Sequence, residues 1–79
     1  MAIAPKCVAQ LNAAAGKALS PGKLKAIETE LDATMRELAR RDKGRWRSLS
    51  RDQRVAEAAM EAMKQIEADA SLKQHRTML

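Results

Sequence analysis

Periodicity, start signals and composition together predict an all-α chain, a small bundle of three main helices with a short helical turn around Trp46. Apolar residues recur at intervals of three and four through most of the sequence, and no strand-like alternation persists beyond four residues. Serine opens two of the helical runs: Ser20 precedes Pro21, and Ser50 stands three residues before Gln53. Aromatic residues make up 1% of the chain, with no Phe or Tyr, so the core falls to Ala, Leu, Ile, Val and Met. Alanine lets helices approach closely but adds only about 0.8 kcal/mol per buried methyl-sized group. At 79 residues, the chain reads as one helical module over 1–79, either whole or the N-terminal part of a longer protein. Modest stability and a partner surface are expected of a core this thin.

The first helix is expected over about 3–19. Ile3, Cys7, Leu11, Ala14 or Ala15, and Ala18 or Leu19 share one face, and Pro5 fits the first turn, where its missing N–H costs nothing. In this reading Gly16, followed by Lys17, is a helix C-terminal glycine. It lacks the upstream glycine and the following Ser or Thr of a phosphate-binding loop.

The second helix is expected over 21–42. Ser20 caps it, Pro21 takes the first position, and Leu24, Ile27, Leu31, Met35 with Thr34, and Leu38 form its core face. Asp32 with Arg36 and Glu37 with Arg41 are acid-first i, i+4 pairs, each worth about 0.3 kcal/mol. Arg40 and Arg41 suit the negative end of the helix dipole, and Gly44 is expected to supply the turn that follows.

Residues 45–49 suffice for a single turn that points Trp46 and Leu49 inward. Ser50 and Gln53 then match the S-x-x-Q capping box of a third helix, expected over 51–75. Its stripe is Val55, Ala58 and Ala59, Ala62, Ile66 and Asp69 or Ala70, widened by Met60 and Met63. From Ser71 the pattern decays without a glycine cap, so the tail is expected to fray or to lead into further chain.

Charge is unevenly placed. The chain carries a net charge of +5, and the segment 40–54, RRDKGRWRSLSRDQR, with seven basic and two acidic residues, accounts for all of it. Arg40, Arg41, Lys43, Arg45, Arg47, Arg51 and Arg54 are the candidate contacts for nucleic-acid phosphates or an acidic partner. Backbone N–H groups at the start of the third helix favour anions beside them. Trp46 is expected first as a plug for the open bundle end and second as a contact residue. Met35, Met60 and Met63 are expected first as gap-fillers and second, with Trp46, as a protein interface.

Other chemistries find little support. Cys7 is the only cysteine, which excludes an internal disulfide and the usual zinc spacings, and the only base for a nucleophilic thiol would be His75 at the far end. Glu28, Asp32, Glu57 and Glu61 fall on polar helix faces and read as solvated. No enzyme activity, cofactor, metal or small-molecule substrate is expected. Lys6, Gln10 and Asn12 interrupt the apolar N-terminal stretch, so neither a signal peptide nor a membrane span is expected, and the single cysteine points to an intracellular setting.

Cys7, NAAAGKAL (residues 12–19), RELARRDK (residues 36–43), Trp46, SRDQR (residues 50–54) and the alanine-rich last helix occur in an order that resembles the N-terminal region of large phage and prophage internal virion proteins. These polyvalent proteins are carried in the particle and ejected with the genome. The resemblance implies a helical anchoring module, present in several copies against portal or tail components near the DNA, which passes from the virion into the host cytoplasm. It implies no catalytic residue in this chain. The alternatives are a small basic nucleic-acid-binding regulator of the cytoplasm and an inhibitor that binds an acidic host protein surface. For a helix-turn-helix regulator, Arg51, Asp52, Gln53 and Arg54 would read bases, but the connection from Asp42 to Ser50 exceeds the usual turn of about 3–4 residues.

Overall fold

The computed structural model describes residues 3–77, with side chains through residue 70. Four helices follow one another, α1 (Pro5–Ala15), α2 (Pro21–Arg41), α3 (Lys43–Ser48) and α4 (Arg51–Thr77), and there is no strand among the described residues. The expected all-α bundle, with a short helix at Trp46, is the observed architecture.

α1 starts with Pro5 at its first position and stops at Ala15, short of the expected residue 19. The cause is Gly16, whose φ of 74° is left-handed. The Lys17 N–H reaches back to the Asn12 carbonyl at 3.2 Å and the Gly16 N–H to the Ala13 carbonyl at 3.3 Å, which closes the helix end in a Schellman pattern. Leu19 therefore lies in the connection, yet it is buried. Asn12 Oδ1 holds it there by accepting the Leu19 N–H at 3.0 Å.

Ser20 caps α2 as expected, its Oγ accepting the Lys23 N–H at 3.2 Å. Ile27, Leu31 and Thr34 are buried on its inner face, flanked by half-buried Leu24, Met35 and Leu38. The Thr34 hydroxyl donates to the Glu30 carbonyl at 2.9 Å, so its burial leaves no polar atom unsatisfied. The helix ends at Asp42, in extended conformation at φ −149° and ψ 90°, and not through Gly44, which lies inside α3. Asp42 serves both helices: its N–H donates to the Leu38 carbonyl at 3.3 Å, and its Oδ1 accepts the Arg45 N–H at 3.1 Å.

The capping box of α4 is complete. Ser50 Oγ accepts the Gln53 N–H at 3.2 Å, and Gln53 Oε1 accepts the Ser50 N–H at 2.9 Å. α4 returns along α2 in the opposite direction, as the pairing of Lys23 with Glu67 and of Arg41 with Glu61, each at 3.4 Å, requires. Ala58, Ala59, Ala62 and Met63 are its buried residues among the described side chains. Methyl-sized side chains there let both α1 and α2 pack on α4.

α1 consequently lies mainly on α4, and less on its sequence neighbour α2. Leu11, Ile27 and Leu31 are the largest fully buried side chains, each contributing about 1.5–3 kcal/mol on the usual area scale. The α4 stripe weakens after Ile66, since Asp69 and Ala70 are exposed. The α4 backbone is helical to Thr77, so the fraying expected from Ser71 is not seen up to that residue; the side chains after residue 70 lie outside the described residues.

Candidate anion-binding corner

α3 and the first turn of α4 form the cationic corner. Too short to stand alone as a helix, α3 buries none of its residues and is bounded by extended residues on both sides, Asp42 and Leu49. Trp46 is half-buried and packs against the core, the orientation expected of a plug.

The seven cations fall into three groups. Arg40, Arg41 and Arg45 face carboxylates. Arg40 Nη2 donates to Glu37 Oε2 at 2.5 Å, while Arg41 lies 3.6 Å from Glu37 and 3.4 Å from Glu61. Arg45 makes a bidentate fork to Glu57, with Nη1 to Oε2 at 2.6 Å and Nη2 to Oε1. The hydrogen bonds of that fork hold the Glu57 carboxyl below its ordinary value, outweighing a desolvation that raises it, with a smaller lowering from the Arg45 charge.

Arg54 forms the second group by itself. Its Nε donates to the Trp46 carbonyl at 3.0 Å and its Nη2 to the Arg47 carbonyl at 3.4 Å. The guanidinium carbon also lies 5.8 Å from the centroid of the Trp46 ring, within cation–π range.

Lys43, Arg47 and Arg51 form the third group. All three are exposed, and none has an ion pair among the described residues. These are the charges the corner presents outward. The start of α4 offers fewer free donors than expected, because the capping box already engages the N–H groups of Ser50 and Gln53.

Several expected roles change in this geometry. Glu57 and Glu61 are not simply solvated: both are half-buried and paired to arginines of the corner. Glu28 is half-buried and accepts the Ile3 N–H at 3.4 Å, while Asp32 is exposed and forms no pair with Arg36. Met63 is a core residue at 5% exposure, so it is not part of an interface. Met35 and Met60 are half-buried. Met60 and Leu38 line a groove of about 470 Å³ next to Arg45 and Glu57.

Two of the four side chains that a helix-turn-helix reader would offer to bases are engaged elsewhere, Gln53 in the capping box and Arg54 on α3. A second cleft, of about 400 Å³, opens between α1 and the start of α4, with Lys6 and Arg51 at its rim and Cys7 and Val55 among its lining residues. Cys7 is buried, and burial pushes its thiol up from the ordinary value, which makes it a poor nucleophile.

The sequence reading missed the Arg45–Glu57 fork. Its one trace in the sequence is the spacing of Glu57 and Glu61, a single turn apart on the same flank of α4. Among the described residues, no group of three or more acidic, histidine or cysteine residues is placed to hold a metal, and no helix is long and apolar enough to cross a membrane. No family model matches the chain, and no curated protein or solved structure matches it either.

Proposed function

We propose that the chain is a non-enzymatic interaction module that docks on DNA phosphates through Lys43, Arg47 and Arg51. The observation that carries this reading is the division of the corner. Four of its seven cations are engaged inside the molecule, and these three remain exposed with no carboxylate partner among the described residues. Contacts of this kind go to the backbone and carry no base sequence information. With Gln53 and Arg54 occupied, a sequence-reading regulator is the weaker form of the proposal. The setting proposed is the phage virion that the sequence resemblance implies, with assembly against portal or tail proteins and delivery alongside the genome.

A second reading, docking on an acidic protein surface, is favoured by the Leu38 and Met60 groove that opens beside the corner. Binding of duplex DNA across a salt series tests the first. A log–log slope corresponding to about three neutralised phosphates is expected, and Arg47→Glu combined with Arg51→Glu abolishes binding while helicity is retained. Absence of binding at low salt would reject DNA and leave the acidic protein surface.

A further inference from the structure

We infer that Arg54 is a positioning residue, which together with the Arg45–Glu57 fork clamps α3 so that Lys43 and Arg47 are presented to the anion as a fixed pair. The inference rests on the proposed docking of the corner on phosphates and adds to it the device that orients the contacting cations.

α3 has little else to hold it. It is six residues long, buries none of them, and joins its neighbours through the extended residues Asp42 and Leu49. The first joint is the single residue Asp42 and the second is Leu49 with Ser50, so α3 is free to swing about them unless side chains tie it down. The half-buried Trp46 ring is one tie. The other two are polar and come from opposite partners on α4. Near the start of α3, Arg45 forks onto Glu57; near its end, Arg54 bonds the carbonyls of Trp46 and Arg47 and lies over the Trp46 ring.

Carbonyls at a helix C-terminus lack their usual partner one turn on, and the Arg54 guanidinium donates to two of them: that of Trp46, which also accepts the Leu49 N–H at 3.3 Å, and that of Arg47. One of the two belongs to Arg47, a proposed contact residue, so Arg54 acts on that contact through its own backbone. A lysine keeps the charge of Arg54 but not the planar fork that reaches two carbonyls and the ring together.

This assigns different signatures to residues that the sequence presents as one basic run. Arg47→Gln removes a phosphate contact, so the magnitude of the salt slope falls by about one. Arg54→Lys and Arg54→Gln both leave the slope of the wild-type chain unchanged, lower duplex affinity about tenfold, and leave the far-ultraviolet circular dichroism of the long helices intact. Trp46 is the only tryptophan, so its emission reports α3 directly, and both Arg54 variants shift it to the red.

The experiment is anisotropy of a fluorescein-labelled DNA duplex over a salt series, with tryptophan emission recorded on the same proteins without DNA. If Arg54→Lys retains wild-type affinity, Arg54 is only a charge and the inference is overturned. If Arg54→Gln lowers the slope as Arg47→Gln does, Arg54 is itself a contact, with the same consequence. Unshifted Trp46 emission in both variants would show that α3 stays docked without Arg54, which also overturns the clamp. If the wild-type chain does not bind duplex at low salt, the DNA reading and the positioning role fall together. A red shift in that case would still establish the tie between Arg54 and α3, which separates failure of the partner from failure of the clamp.

Discussion

Arg45 and Glu57 meet in a bidentate fork that ties α3 to α4, the one ion pair that spans these two helices among the described residues. Because the Glu57 carboxyl is held below its ordinary value, the folded chain binds a proton there less readily than the unfolded chain does. The stabilisation is therefore present above the ordinary glutamate range and is lost as pH falls through the lowered folded value. A series of melting temperatures from neutral pH into the acid range should show this loss, and Glu57→Gln should be less pH-sensitive over the same window. Arg45 is exposed and Glu57 only half-buried, so solvent screens the pair and the effect is small; equal pH profiles for the two proteins would count against it.

Trp46→Ala removes the only large ring from a core of small side chains. Full burial of such a ring would make the loss about 3–5 kcal/mol, and half-burial brings the expected value nearer 2 kcal/mol. Chemical denaturation measures it. An unchanged midpoint would mean that the ring serves a partner and not the fold.

Gly16→Ala should destabilise by about 1 kcal/mol, although open space surrounds a Cβ built at this position. The cost is conformational, since a φ of 74° is unfavourable for alanine. Gly44→Ala provides the contrast. Gly44 sits in α3 without positive φ, so alanine there should be neutral or stabilising.

Ser50→Ala breaks the reciprocal cap of α4, with an expected loss of about 1 kcal/mol, or roughly 4–8 °C in Tm for a domain of this size. Gln53→Ala should cost less, since it removes only the bond to the Ser50 N–H. A larger loss for Gln53→Ala than for Ser50→Ala would contradict this ordering.

Cys7 should react with iodoacetamide at least about tenfold more slowly in the folded chain than in denaturant, because its thiol is buried and is pushed up by that burial. Equal rates would show that α1 opens readily from α4.

The helices were legible in the sequence wherever a local signal decided them. Ser20 with Pro21, Ser50 with Gln53, and the Leu24, Ile27, Leu31 stripe act within a few residues, and each does what its local chemistry requires. Local reading failed where two signals competed. Leu19 continued the apolar face of α1, but Gly16 turned the chain first, and Leu19 reached the core from the connection. Gly44 looked like the breaker after α2, although Asp42 caps both helices and needs no positive φ.

The corner was only half legible. Its composition stood out, but the division of its charges depends on α4 folding back to bring Glu57 and Glu61 beside Arg45 and Arg41. Spacing along the chain does not encode that meeting.

The buried alanines of α4 bear on how a lineage of such chains would diverge. Ala58, Ala59 and Ala62 are at most 1% exposed where two helices press on one, so even a single added methylene there would force helices apart. Surface cations can migrate by a turn and still meet a phosphate, whereas these three methyls have no equivalent elsewhere. Distant kin would then share an alanine triplet more readily than an arginine cluster. A search for them should weight the unremarkable middle of α4 above the conspicuous basic run.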